Sequence, residues 1–401
     1  MALNTVSSDR LSTNVKNTNF TAAEKQDLTD DIKPLLGSSG GGNKNVIING
    51  DFQISQRGSS LTSANAYLCD RWKFQTGGLD ENCTQDWVDV ASGTSPYGLG
   101  FRKALKITNG NQTSGAGAGD YLELYQYIEG HIMANCGWDY KNPNSKMTLS
   151  FWIKSSVAQK FPGFLYTTNT NGTSVHYMYD YSIDDGGSNL TADTWTKITH
   201  TFPGNSSLNI TNGPNYGLGF GIFPFQGTNT TTSRSPSNAW QSWNTSNKTP
   251  DVTSTWYTTN NATLEITGVQ LEVGNVATEF DHRPLTQELE LCQRYYQKSY
   301  NISTAPGTAT ATGSIVNTAY AAIAYAGNSV QLPVRMRAAP TVTLYGTSTG
   351  STGKINADSG EGNGQATYIG EKNFFAHRQD DSTGVNVNVY IRFQFQAVAE
   401  L

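Results

Sequence analysis

The sequence predicts an all-β protein: a jelly-roll β-sandwich, then a short helix and a second, smaller β-sandwich, with a short helical anchor at the N-terminus. Composition is the first reason. The chain carries 40 Gly and is 11% aromatic (8 Trp, 20 Tyr, 16 Phe), while charged residues reach only 15%. Aromatic and β-branched residues between Gly and Asn turns make short strands and many loops. Period-two alternation of apolar residues, repeated along the chain, is the second reason. The third is length: 401 residues exceed one ordinary domain and suffice for two or three cores.

Residues 1–44 read as an attachment segment and linker. Thr21-Ala-Ala-Glu24 has the form of a capping box, in which two free amide donors are satisfied reciprocally. Leu28, Ile32 and Leu35 follow at helical spacing until Pro34 limits the helix, and Ser38-Ser-Gly-Gly-Gly42 is a flexible tether. A short amphipathic helix cannot bury its stripe alone. These three residues are therefore the candidates for docking on a neighbouring copy or on another protein, with a disordered tail as the alternative.

Residues 45–283 read as β throughout. Val46 to Phe52 looks like a strand entering a turn. Lys146 to Ile153 alternates, with Met147, Leu149, Phe151 and Ile153 on one face. Lys160 to Ile183 reads as a hairpin about Asn169-Thr-Asn-Gly172. Thr194–Phe202 and Ala262–Leu271 complete the strands, and two facing antiparallel sheets close them economically. Gln226 to Asn260 is a long polar stretch holding Trp240, Trp243 and Trp256.

Residues 284–299 form a connecting helix whose stripe, Leu285, Leu289, Cys292 and Tyr296, packs on a domain or about a symmetry axis. Those four are the oligomer-interface candidates. Residues 300–401 return to β. Val385 to Ala397 is apolar at every odd position, which predicts a strand with one buried and one wet face.

Several function classes are excluded at this level. The net charge is −5 and no Lys/Arg run exists, so nucleic acid is not an expected partner. No apolar stretch approaches a membrane span, and the N-terminus lacks a signal-peptide core, so a soluble protein made without Sec-type export is expected. Cys69, Cys83, Cys136 and Cys292 are too few and too scattered to staple the fold, and are read as free thiols. The five histidines show no metal spacing, and no nucleophile elbow, Walker loop or dinucleotide loop occurs. Asp184-Asp185-Gly-Gly and Asp380-Asp381-Ser-Thr-Gly are acidic pairs of turn composition rather than a glycosidase pair. No enzyme, cofactor or metal is expected.

Sugar binding needs less: flat aromatic faces for a pyranose, with amides for its hydroxyls. Tyr177, Tyr179 and Tyr181 alternate and so share one sheet face, as a platform or, because Val175 lies on that face too, as core. With Trp240, Trp243 and Trp256 they make up the glycan-binding candidates.

Asn45 to Arg57 and Tyr67-Leu-Cys-Asp-Arg-Trp72 resemble the opening of a family of phage and prophage tail proteins. The likeness continues through Ser150–Ser155, Asp193-Thr-Trp195, Asn238-Ala-Trp240 and Ile266–Gly274, then Ala277–Pro284, Leu289–Tyr296 and Val334–Pro340. The module is similar to carbohydrate-binding jelly rolls of families 4 and 9. The resemblance implies a virion part, often a trimeric tail fibre or appendage, that docks on other virion proteins and touches host-surface polysaccharide. It also implies localisation in the virion, after assembly in the host cytoplasm. Related jelly rolls hold a structural calcium on two acidic residues; here those positions are Gln53 and Gly268, so none is expected. An architectural head fibre or tail adaptor is the alternative, and a polysaccharide depolymerase a third reading.

Overall fold

The computed structural model describes residues 44–167, 176–231, 238–250, 252–319, 327–357, 360–379 and 389–401. Leu28, Ile32 and Leu35 lie outside these residues, as do the 169–172 turn, Asp380-Asp381 and the first residues of the 385–397 run.

A two-sheet sandwich occupies the first part. One sheet has six strands in the order β1 (Ser60–Thr62), β4 (Thr84–Asp89), β5 (Lys103–Thr108), β13 (Thr263–Val273), β7 (Lys146–Ser155), β10 (Thr196–Pro203). The other has seven: β12 (Trp240–Trp243), β9 (His176–Ile183), β8 (Phe161–Thr167), β11 (Tyr216–Gln226), β6 (Tyr121–Glu129), β3 (Lys73–Gly77), β2 (Ala66–Tyr67). Alternation explains the burial: Met147, Leu149, Phe151 and Ile153 of β7 are fully buried, facing Leu218, Phe220 and Ile222 of β11 in one core. β8 and β9 pair antiparallel from Phe161↔Ile183 to Thr167↔Tyr177, as the hairpin reading expected.

Short helices α1 (Ser95–Gly98), α2 (Gly130–Asn135) and α3 (Thr255–Thr258) cover loops, and α4 (Leu285–Gln293) leads to the second part. There β21 (Val389–Val398) is shared between two layers. Its end pairs with β14 (Tyr296–Lys298) and β17 (Thr341–Tyr345). Its start pairs with β15 (Ile315–Ala319) and touches β18 (Lys354–Ala357), which continues into β19 (Gly360–Thr367), β20 (Asn373–Gln379) and β16 (Gly327–Gln331). That sheet curls until Asn317 Nδ2 donates to Gly327 O at 3.1 Å. Ile391, Phe393, Phe395 and Ala397 fill a second core.

Two expectations need correction. Val46 to Phe52 is buried but is not a strand. Asn49 and Phe52 take left-handed backbone (φ 57 for both), and the backbone groups are met one by one, some by side chains, instead of by a ladder. Ile47 N–H donates to Asn45 Oδ1 at 3.0 Å and Ile48 N–H to Gln126 Oε1 at 2.9 Å, while Val46 N–H reaches Leu271 O at 3.0 Å. Gly50 is required there, since a Cβ would lie 2.1 Å from Val269 O.

The connecting helix is also shorter than expected, and Tyr296 begins β14. Its stripe is covered by its own chain: Cys292 and Tyr295 pack with Ile48 and Ile54, half-buried Leu289 joins them, and Tyr296 is fully buried. Of the stripe, Leu285 alone stands exposed. Cys292 and Tyr296 are therefore not interface residues.

The two parts meet through charge. Glu400 pairs with Arg57 at 2.9 Å and with Arg71, and Arg57 pairs with Asp70 at 2.7 Å. The Arg57 guanidinium lies over Tyr296 (3.8 Å) and that of Arg71 over Tyr295 (3.5 Å). Arg337 donates to the carbonyls of Ala399 and Glu400. Burial lifts the Asp70 carboxyl to about 6, against the pull of Arg57.

Candidate functional site

Most of the rings singled out in the sequence turn out to be core. Tyr179 and Tyr181 face inward, packing on Phe202 with ring centres 5.0 and 5.4 Å away, and Tyr177 is half-buried against the same core. Trp240 is buried with its Nε1–H on Pro203 O (2.8 Å), and Trp256, wholly buried, donates to Thr263 O (3.0 Å). Tyr179, Tyr181, Trp240 and Trp256 present no face to a ligand, and Tyr177 keeps only part of its surface open. Val175 parity was the right guide, because register puts residues 177, 179 and 181 on one side.

The opposite parity builds a different surface. Along Leu218-Gly-Phe-Gly-Ile222 of β11, Leu218, Phe220 and Ile222 point in, and Gly219 and Gly221 face out. A Cβ on Gly219 would sit 2.8 Å from the Tyr127 ring, and one on Gly221 only 2.3 Å from the Phe164 ring. The bare strand lets rings from β6 and β8 lie down over it.

A continuous strip of rings results. Tyr125 is 4.7 Å from Tyr127, which stacks on Tyr216 at 4.5 Å and 25°. Tyr216 lies 6.2 Å from Tyr166 at 21°, and Tyr166 stacks on His176 at 5.3 Å and 19°. Trp243 closes the row, edge-on to both Tyr166 and His176. The strip crosses β6, β11, β8, β9 and β12, roughly 19 Å at the spacing of paired strands. Tyr127, Tyr216, His176 and Trp243 are half-buried, so each keeps some surface open, whereas Tyr125, Phe164 and Tyr166 form the floor.

Polar groups border the rings. Tyr125 Oη donates to Gln75 Oε1 (2.8 Å), and the Tyr166 and Tyr216 hydroxyls are bonded to each other. Glu123 accepts from Lys248 Nζ (2.7 Å) and Gln226 Nε2 (2.9 Å). Burial raises the phenol pKa of Tyr125, Tyr127, Tyr166 and Tyr216, with neighbouring phenols adding to the first three, so all stay neutral near pH 7. At the far end, Trp243 Nε1 and His176 Nδ1 have no hydrogen-bond partner among the described residues.

Of the sequence candidates only Trp243 belongs to this strip. The sequence reading missed Tyr127, Tyr166, His176 and Tyr216; the alternating glycines of β11 and the Tyr125-Gln-Tyr127 repeat were the available signals. Among the described residues no group of three or more His, Cys, Asp or Glu could hold a metal ion, and no helix is long and apolar enough to cross a membrane. The four cysteines are free.

No protein-family model and no curated protein sequence matches this chain. Several solved structures superpose loosely. The enzymatically active domain of tailspike protein 4 from bacteriophage CBA120 aligns at 12% identity over 57% of this chain and 21% of its own, with a TM-score of 0.31. The family 11 carbohydrate-binding module of Clostridium thermocellum, in complex with a β-1,3-1,4-mixed-linked tetrasaccharide, aligns at 11% identity over 55% and 99%, TM-score 0.26. A family 22 xylan-binding domain from Paenibacillus barcinonensis aligns at 10% over 55% and 99%, TM-score 0.24. This chain thus spans about a fifth of the tailspike domain.

Proposed function

We propose that this chain is a bacteriophage appendage protein of the tail-fibre kind that holds host-surface glycan on the outer face of its seven-stranded sheet. The reading assigns it no catalysis. The single observation that supports it most is the strip of rings from Tyr125 to Trp243, laid flat over a glycine-bare strand. A pyranose offers an apolar C–H face to such rings and hydroxyls to the neutral phenols and amides beside them. Each stack contributes about 0.5–1.5 kcal/mol, so one site binds weakly. Several copies on a particle, a trimer by the sequence resemblance, raise the effective affinity. Leu28, Ile32 and Leu35 remain the proposed attachment to other virion proteins.

A glycan array probed with the intact oligomer tests the reading. Retention of a surface glycan is expected, and replacing Tyr127 and Trp243 together by Ala should lower affinity about tenfold or more with the fold intact. An intact oligomer that retains no sugar overturns it in favour of an architectural role. New reducing ends from any retained polymer would overturn the non-catalytic part.

A further inference from the structure

The second part of the chain carries an aromatic surface of its own. Tyr368 is 87% exposed, the most open large hydrophobic side chain among the described residues, and its backbone takes φ 48 at the turn between β19 and β20. An isolated exposed tyrosine needs no explanation, but this one has a neighbour. Phe375, half-buried on the outward face of β20, lies 6.5 Å from it at 59°. A Cβ on Gly327 would meet the Phe375 ring at 2.3 Å, so this ring too lies down over a bare glycine, on β16. His377 stacks beside it at 5.7 Å and 25°.

What surrounds the rings decides the partner. Register places Ser329 and Thr367 opposite Phe375, Gln331 opposite Asn373, and Asn363 opposite Gln379. Gln365 accepts from Gln379 Nε2, fixing two amides beside the rings. On these three strands the outward positions hold no Lys or Arg, and the one carboxylate, Glu361, is tied to Ser348 and Thr349 at the sheet end. Away from the β18 edge, where Lys354 Nζ donates to Asn363 Oδ1 (2.9 Å), the face is rings and amides and offers little to phosphates or to charged peptides. It complements a neutral polymer with apolar faces and many hydroxyls.

We infer that the Tyr368–Phe375 face is a second, independent contact for neutral glycan. It rests on the proposal that this chain meets glycan at all, but it uses a different module and different residues. Two sites on one chain would engage neighbouring stretches of one surface polymer and multiply avidity.

The test uses the full chain on an array of neutral and anionic bacterial-surface glycans, with affinity for short oligosaccharides measured in solution. Three proteins are compared: the natural chain, Tyr127→Ala with Trp243→Ala, and Tyr368→Ala with Phe375→Ser. Because Phe375 is half-buried, this pair should lower the melting temperature slightly; Gln365→Ala with Gln379→Ala repeats the test without touching a ring. The Tyr368/Phe375 variant should lose about tenfold or more on the array, while the strip variant still retains neutral glycan. Array binding equal to the natural chain, or a strip variant that retains nothing, overturns the second site and leaves the first standing. A changed native mass with unchanged glycan retention also overturns it, making the face a contact between copies. A natural chain that retains no glycan overturns both.

Discussion

On strand β9, Tyr179 and Tyr181 point into the sandwich while His176 and Met178, one residue out of step, point away from it. The same division runs across the seven-stranded sheet. Inside, tyrosines meet Phe202, Trp240 and the opposite sheet, and serve packing. Outside, Tyr127, Tyr216 and Tyr166 meet no second sheet among the described residues; Tyr127 lies over Gly219, and the three lie on each other. Residue type does not distinguish the two sets. What stands beneath and above each ring does, and only the outer set keeps surface for a ligand.

The comparison breaks most sharply at Phe220, an inner residue of β11 in ring contact with Trp72 and Phe151. Phe220→Ala should cost about 3–5 kcal/mol of unfolding free energy through lost transfer and a cavity, read by urea titration. Glycan affinity of the folded fraction should not change. If stability falls little, the inner face is not the core of this module.

Gly221→Ala comes next. Its Cβ would press on the Phe164 ring and lie 2.7 Å from Leu124 O, an atom of the neighbouring strand's backbone. Overpacking of this kind costs about 1–3 kcal/mol, and here it should also lift the rings and weaken glycan retention. A stability loss without a binding loss would show that the strip is not the binding surface.

Tyr216→Ala removes an outer ring stacked on Tyr127. A loss of only about 0.5–1.5 kcal/mol is expected, together with a clear loss of glycan affinity. This inverts the pattern predicted for Phe220.

The last effect is one of pH and touches neither face. Asp70 has a folded pKa of about 6 against an ordinary aspartate value of 3.8, so the folded chain binds the extra proton between those values. Stability from this group is therefore greatest at low pH and is lost as pH rises through about 6. Unfolding titrations from about pH 4 to 7 should show the natural chain losing ground to Asp70→Asn over that window; the opposite slope would mean that Arg57 outweighs burial.

Much of the fold was legible. The alternation of Met147 to Ile153 and of residues 391–397 marked the right strands with the right faces buried, because period-two patterning records a water boundary directly. Val46 to Phe52 is not the strand its apolar run suggests, since such a run cannot show that Asn45 and Gln126 side chains take the amides of Ile47 and Ile48. The helical stripe from Leu285 left open packing on a domain or about a symmetry axis, and for Cys292 the chain's own Ile48 and Ile54 supply the cover.

The sequence by itself determined the all-β class, the free thiols and the alternation that sorts each strand into two faces, because these depend on neighbours a few residues apart. Tertiary structure alone decided which face would be left uncovered. Tyr127, Tyr216, Tyr166 and Trp243 come from four strands far apart in the chain, and hydrogen-bonded register, not local spacing, sets their rings edge to edge.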